Sequence, residues 1–179
     1  MIYVIIAAVV LLLIIAGLYN SLIRKKNDVE KAFSSVDVML KKRYDLIPNL
    51  VETVKSYMQH EKTLLTELTE LRTKAVSGGI SDDDRVMVEN KIVKGMAGLM
   101  VAVENYPDLK ASQNFIQLQG AWNEVEEQIS ASRRAFNAAV TTFNNGVETF
   151  PSNIMAGVMK YKRKTLFVIP EAEKQNLSA

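Results

Sequence analysis

His60 is the single histidine in the chain, standing in the run Met58-Gln59-His60-Glu61. An imidazole beside a carboxylate is the first place to look for a metal ligand or a general base. A carboxylate-bridged di-iron bundle needs two Glu-x-x-His pairs and two further Glu, and one histidine cannot supply them. A His-Glu-x-x-His zinc helix fails as well, because Lys62, Thr63 and Leu64 follow Glu61. Asp82-Asp83-Asp84 gathers three carboxylates, but a calcium loop needs spaced ligands and a glycine at the turn, and adjacent side chains diverge. Ser81 followed by these acids reads better as a helix start, a capping residue with carboxylates at the positive helix end. Glu124, Glu126 and Glu127 fall opposite Trp122 and Val125, which predicts a solvated face. Ser77-Gly78-Gly79 has no Gly-Lys-Ser/Thr behind it and is not a phosphate loop. With no cysteine in the chain, thiolate metal sites, iron–sulfur clusters, disulfides and cysteine nucleophiles drop out together. The expectation is a protein without catalytic residues, cofactor or metal, and with no evident small-molecule substrate.

Charge comes in three basic clusters: Arg24-Lys25-Lys26, Lys41-Lys42-Arg43 and Lys160-Tyr161-Lys162-Arg163-Lys164. The formal net charge over 179 residues is only +2, and no recognition motif accompanies the clusters, which argues against nucleic acid as a partner. The first cluster is a topology signal that also favours anionic headgroups. The third, beside Leu166 and Phe167, suits a membrane, an acidic partner or a plain soluble tail.

The elements that position these groups begin with a membrane segment. Residues 1–23 carry no charged side chain, and Ile2 to Tyr19 is almost wholly apolar. A helix of roughly 20 apolar residues spans a bilayer's hydrocarbon core. Tyr3 and Tyr19 flank the run, with Arg24, Lys25 and Lys26 just beyond, which fits interface anchoring. A cleaved signal would want a basic start, a shorter apolar run and a small-residue cleavage site, and Ala16-Gly17-Leu18 matches poorly. The basic flank predicts a single-pass protein of the bacterial inner membrane, N-terminus out and helical domain cytoplasmic, with a periplasmic domain left open.

Beyond residue 23 the apolar spacing is three and four throughout. Val29, Phe33, Val36, Leu40, Tyr44, Ile47, Val51, Val54 and Met58 make one stripe, which Leu64, Leu68 and Leu71 extend. Pro48 either kinks this helix or starts a new one; the stripe keeps its phase across it, which favours a kink. A second helix to about Asn105 points Val88, Ile92, Met96, Leu99 and Val103 inward, and Gly95 and Gly98 allow close approach by a neighbour. Tyr106-Pro107-Asp108 stops it. A third opens at Ser112 or Gln113 and carries Phe115, Leu118, Trp122, Val125, Ile129, Ser132, Phe136, Val140, Phe143 and Val147. A short fourth, Ser152 to Lys160, presents Ile154, Val158 and Tyr161, and the aperiodic segment from Lys162 is expected to fray. The fold class is all-α: one transmembrane helix (1–23), a three- or four-helix antiparallel bundle (24–161) and a tail (162–179).

The sequence resembles the LemA family of bacterial proteins along nearly its whole length. The resemblance is carried by Tyr19-Asn20, Val36-Asp37-Val38, Leu40 through Val51, His60-Glu61, Tyr106 through Ala111, Asn114-Phe115, Leu118-Gln119, Arg133, Phe136-Asn137, Phe143-Asn144 and Phe150-Pro151-Ser152-Asn153. Where the family often has Tyr-Asn, this chain has Phe136-Asn137 and Phe143-Asn144, two hydroxyls fewer. The resemblance implies a single-pass helical-bundle protein with its N-terminus outside, and no settled biochemical activity.

The leading expectation is therefore a non-catalytic, membrane-anchored helical module acting as scaffold, adaptor or self-assembling envelope component. Its partners would be the bilayer, further copies of itself, or other membrane proteins. Candidate interaction residues are Arg43, Tyr44, Asp45, Pro48 and Asn49 around the proline, and Tyr106, Pro107 and Asp108 at the second-helix stop. Asp45 and Asn49 alternatively just satisfy backbone groups freed by Pro48. The competing readings are a carboxylate- or metal-dependent enzyme, which needs acids clustered inside the bundle, and a membrane-linked sensor.

Overall fold

A computed structural model of the chain describes residues 1–77 and 82–167. Every regular element among them is an α-helix: α1 (Ile2–Lys55), α2 (Lys62–Val76), α3 (Asp82–Val103), α4 (Pro107–Lys110), α5 (Gln113–Glu148) and α6 (Ser152–Val158). Two compact units are present. A terminal unit takes Met1–Val36 and the chain from Ser130 onward, and a central unit takes Asp37–Ile129.

α1 passes through Pro48 unbroken. A mid-helix proline loses a hydrogen bond and costs about 3 kcal/mol. Pro48 itself is exposed, while Ile47, Leu50 and Val54 beside it are buried, and burial of such side chains offsets the loss at about 1.5–3 kcal/mol each. The continuous reading therefore holds at the proline, but the predicted stripe does not run on to Leu71 as one helix. The chain turns after Lys55, with Tyr57 and Met58 bonding back to the Val54 carbonyl, and α2 starts afresh at Lys62. The break shifts the phase, so Leu65 joins Leu68 and Leu71 in the core and Leu64 is only half-buried. Leu50 likewise takes the inward position expected of Val51.

The inward residues predicted for α3 are all buried: Val88, Ile92, Met96, Leu99 and Val103. α2 and α3 lie close at Gly95, where an added Cβ would stand 2.9 Å from Leu68 Cδ2. The predicted stop at Tyr106-Pro107-Asp108 is itself a helical turn. Pro107 sits at its first position, where no amide donor is needed, and Leu109 is driven fully into the core. Ser81, Gly78 and Gly79 lie outside the described residues.

In the terminal unit α5 runs antiparallel to α1. Phe33 packs on Phe136 with ring centroids 5.8 Å apart, and nearer the N-terminus Leu22 and Lys25 close over Gly146. α6 ends two residues earlier than expected. Tyr161 N–H donates to the Ala156 carbonyl and Lys160 N–H to Gly157, the paired bonds of a Schellman cap, with Lys160 in the left-handed region at φ 54°. Ala156 is its buried residue; Ile154 and Val158, which the sequence reading has this helix present, are exposed.

Of the segment from Lys162 that was expected to fray, residues 162–167 are held instead, and the remainder lies outside the described residues. Asn144 Nδ2 donates to the Lys164 carbonyl and its Oδ1 accepts from Lys164 N–H, both at 2.9 Å. Asn137 does the same for Phe167, at 3.1 and 2.8 Å. Two turns of helix rise about 10.5 Å and three extended residues span about 10 Å, so the two amides meet alternate ends of one straight stretch. Phe167 then packs against both Phe136 and Phe33, and Tyr161 against Phe143.

Candidate functional site

The stripe of α1 in the central unit contains an intruder. Arg43 shares a face with Leu40, Tyr44 and Ile47 and is wholly buried. A buried guanidinium needs anionic partners, because leaving it unpaired in a low-dielectric interior costs several kcal/mol. α3 and α5 each supply one. Glu89, one residue past inward-facing Val88, pairs with Arg43 and also accepts the Tyr44 hydroxyl. Glu126, one residue past Val125, receives Arg43 Nη1 at 3.0 Å. At the edge of this cluster Arg85 pairs with Asp37 at 2.6 Å. The guanidinium thus ties α1, α3 and α5 together, and Arg43 Nε has no hydrogen-bond partner among the described residues.

Burial pushes the Tyr44 phenol above its ordinary value of 10.0, partly countered by the positive charges of Arg43 and Arg85, while Asp37 pushes the same way as burial. Tyr44 is therefore a neutral hydrogen-bond donor to a carboxylate already neutralised by Arg43. Such a set is suited to fixing helix register; the inward carboxylate is already engaged on both oxygens.

Sequence reading misassigned part of this cluster. Glu126 was expected on a solvated face and instead reaches inward to Arg43; Glu124 and Glu127 are exposed as expected, with Glu124 accepting from Gln128 at 2.9 Å. Glu89 was not singled out. The available signal was Arg43 itself: a permanent cation at a stripe position demands an acid adjoining a stripe position on another helix.

The candidate interaction segment splits by face. Arg43 and Tyr44 point into the core and cannot meet a partner, which corrects their assignment to a surface; Asp45, Pro48 and Asn49 are exposed. Neither the Asp45 nor the Asn49 side chain bonds a protein group among the described residues, so the freed backbone at Pro48 is not what they serve. Asp45 instead edges a shallow groove of about 310 Å³ between α1 and α5, with Lys42 and Leu46 on one wall and Ala121, Glu124, Val125 and Gln128 on the other. Tyr106 is half-buried, and Pro107 and Asp108 are exposed; none of the three lines this groove. His60 is exposed in the turn before α2. Among the described residues no three His, Cys, Asp or Glu side chains converge as for a metal ion.

The N-terminal part of α1 differs in kind. It is long and apolar enough to cross a membrane, and none of its most apolar window is buried within the protein. Tyr3 and Tyr19 are exposed, as is Arg24, while Lys25 is half-buried against Gly146 of α5 and Lys26 is half-buried beside Glu30.

These features define a class: an all-helical protein with one candidate N-terminal membrane span and a central unit cross-braced by a buried arginine. The chain belongs to the LemA family, whose pattern matches residues 32–178. It is similar to Protein LemA of Metamycoplasma hominis, 27% identical over 158 residues covering 88% of this chain and 72% of that protein. It is also similar to Magnetosome protein MamQ 2 of Paramagnetospirillum magneticum and Magnetosome protein MamQ of Magnetospirillum gryphiswaldense, 23% and 21% identical over 174 residues. The chain spans 64% of the length of each of these two and 83% of itself is covered.

Proposed function

We propose that this protein is a non-catalytic, membrane-anchored helical module that works by contact, as a scaffold, adaptor or self-assembling component of the bacterial envelope, with its helical part in the cytoplasm. One observation carries the reading. The most apolar stretch of α1 is left unburied by the protein, while the buried Arg43 is taken up by buried Glu89 and half-buried Glu126 rather than by an open cavity. The exposed groove at Asp45, with acidic, basic and apolar side chains along its walls, is the surface best suited to a protein partner or a second copy.

Photo-crosslinking in intact cells from Asp45 and Gln128, followed by mass spectrometry, tests this. A reproducible set of crosslinked proteins, or crosslinked copies of the chain, that is lost in an Asp45→Lys/Glu124→Lys variant supports contact at the groove. Crosslinks unchanged by that variant would remove the groove from consideration. A labelled cysteine near residue 45 that reacts only with reagents applied outside the cell would reverse the proposed topology.

A further inference from the structure

We propose that the end of α5 and the following α6 form a second membrane contact, an apolar and basic tip that rests in the anionic headgroup layer of the bilayer that α1 crosses. This rests on the anchor reading given above.

Placement is the first observation. Within the terminal unit the antiparallel pair brings Gly146 of α5 against Leu22 and Lys25 of α1. Carrying that register onward sets Phe150 level with Tyr19, where the apolar run of α1 ends. The turn into α6 therefore lies at the height where hydrocarbon gives way to headgroups.

Composition is the second. Ile154 and Val158, 63 and 75% exposed and four residues apart on α6, make one apolar edge, and Phe150, 80% exposed in the turn that leads into it, adds a third uncovered apolar side chain. α6 buries only Ala156, on its other side. Exposed side chains of this size, clustered at a membrane boundary, are what an interfacial helix presents to lipid.

Charge is the third. Lys160, Lys162, Arg163 and Lys164 follow directly, and the Asn144 clamp at Lys164 holds this stretch against α5 rather than leaving it to wander. Glu148 is the one acid between residues 146 and 164 and is taken up by Arg163 at 3.1 Å. Lys164 stands over the Phe143 ring, so Lys160 and Lys162 are the cations with no partner in the described structure. Arg24 adds to the same side of the boundary. An apolar edge beside a one-signed cluster fits an anionic lipid surface better than a neutral one.

The absence of native cysteine allows single-site spin labelling of the full chain in vesicles of equal parts phosphatidylglycerol and phosphatidylcholine. Labels are placed by Leu11→Cys in the span, Val158→Cys and Ile154→Cys on α6, and Ser34→Cys on the exposed side of α1 in the same unit. Collision with dissolved oxygen against a water-soluble nickel complex reports depth. The proposal expects the α6 labels to be shielded from nickel at headgroup depth while the Ser34 label stays water-accessible. It expects this shielding to fall when Lys160 and Lys162 become Gln, the docked-to-undocked ratio dropping about five-fold per charge removed. With the Leu11 label in the bilayer, α6 labels as wet as the Ser34 label would overturn the proposal and leave the anchor standing. A Leu11 label in water would remove the anchor reading and this one with it. Dipolar broadening at residue 158 that disappears on dilution with unlabelled protein would assign the edge to a second copy and overturn the lipid contact.

Discussion

Arg43 is the residue on which the central unit turns. Removing one member of a buried ion pair strands the other, at about 3–5 kcal/mol, whereas removing both leaves only a packing change. Glu89→Gln and Arg43→Met should each lower the unfolding free energy by about that amount in urea titration. The double variant Arg43→Met/Glu89→Leu should recover most of it, and equal additive losses would show that the two side chains do not act as a pair. Tyr44 gives a pH signature. Its folded pKa is raised, so the folded state holds the phenolic proton more tightly than the unfolded chain does. The resulting stability is fully present below pH 10.0 and is lost as pH climbs through the higher folded value. Thermal melts of the native chain should therefore fall above pH 10 more steeply than those of Tyr44→Phe. At neutral pH that variant should be weaker by about 1–3 kcal/mol, having left the Glu89 oxygen a partner short.

At the scale of elements, the two asparagine clamps carry the segment from Tyr161 to Phe167. Each makes two hydrogen bonds worth about 1 kcal/mol apiece. Asn144→Ala should release residues 161–164 to fast amide exchange and cost about 1–3 kcal/mol, and Asn137→Ala should do the same around Phe167. Exchange unchanged in both would mean that the aromatic contacts of Tyr161 and Phe167 hold the segment alone. The helices themselves were largely legible: the three-and-four spacing found the inward faces of α3 and α5, and the Pro48 reading survived because phase was kept across it. What spacing could not find were arrangements that depend on a partner elsewhere in the chain. Leu65 replaced Leu64 because a turn after Lys55 reset the phase. Ile154 and Val158 face outward because the cap at Lys160 and the clamp at Lys164 orient α6. An extended segment bonded to helix side chains has no periodicity of its own, so nothing in residues 162–167 announces it. Glu89 was invisible for the same reason, since an acid on a helix reads as solvated until a buried cation claims it.

For the whole molecule the governing contrast is between the apolar N-terminal stretch of α1, unburied among the described residues, and units held by ordinary cores. Two arginines in place of Leu11 and Ile14 should each cost about 2.5–3.5 kcal/mol at mid-bilayer. The variant should move from the carbonate-resistant membrane fraction to the supernatant while the central unit keeps its helical circular dichroism. Retention in the membrane pellet after both changes would show that another surface supplies most of the attachment. Family membership is secure from residues 32–178, which begin after the apolar run, so the candidate membrane span rests on its own length and apolarity.

The clamps at Asn137 and Asn144 touch only main-chain atoms of Lys164 and Phe167. Such a grip is blind to side-chain identity: Lys164 and Thr165 can be exchanged for most residues without loosening it. Proline at 164 is different, because it deletes the very amide that Asn144 grasps. The latch therefore tolerates drift in spelling and fails at a single imino acid.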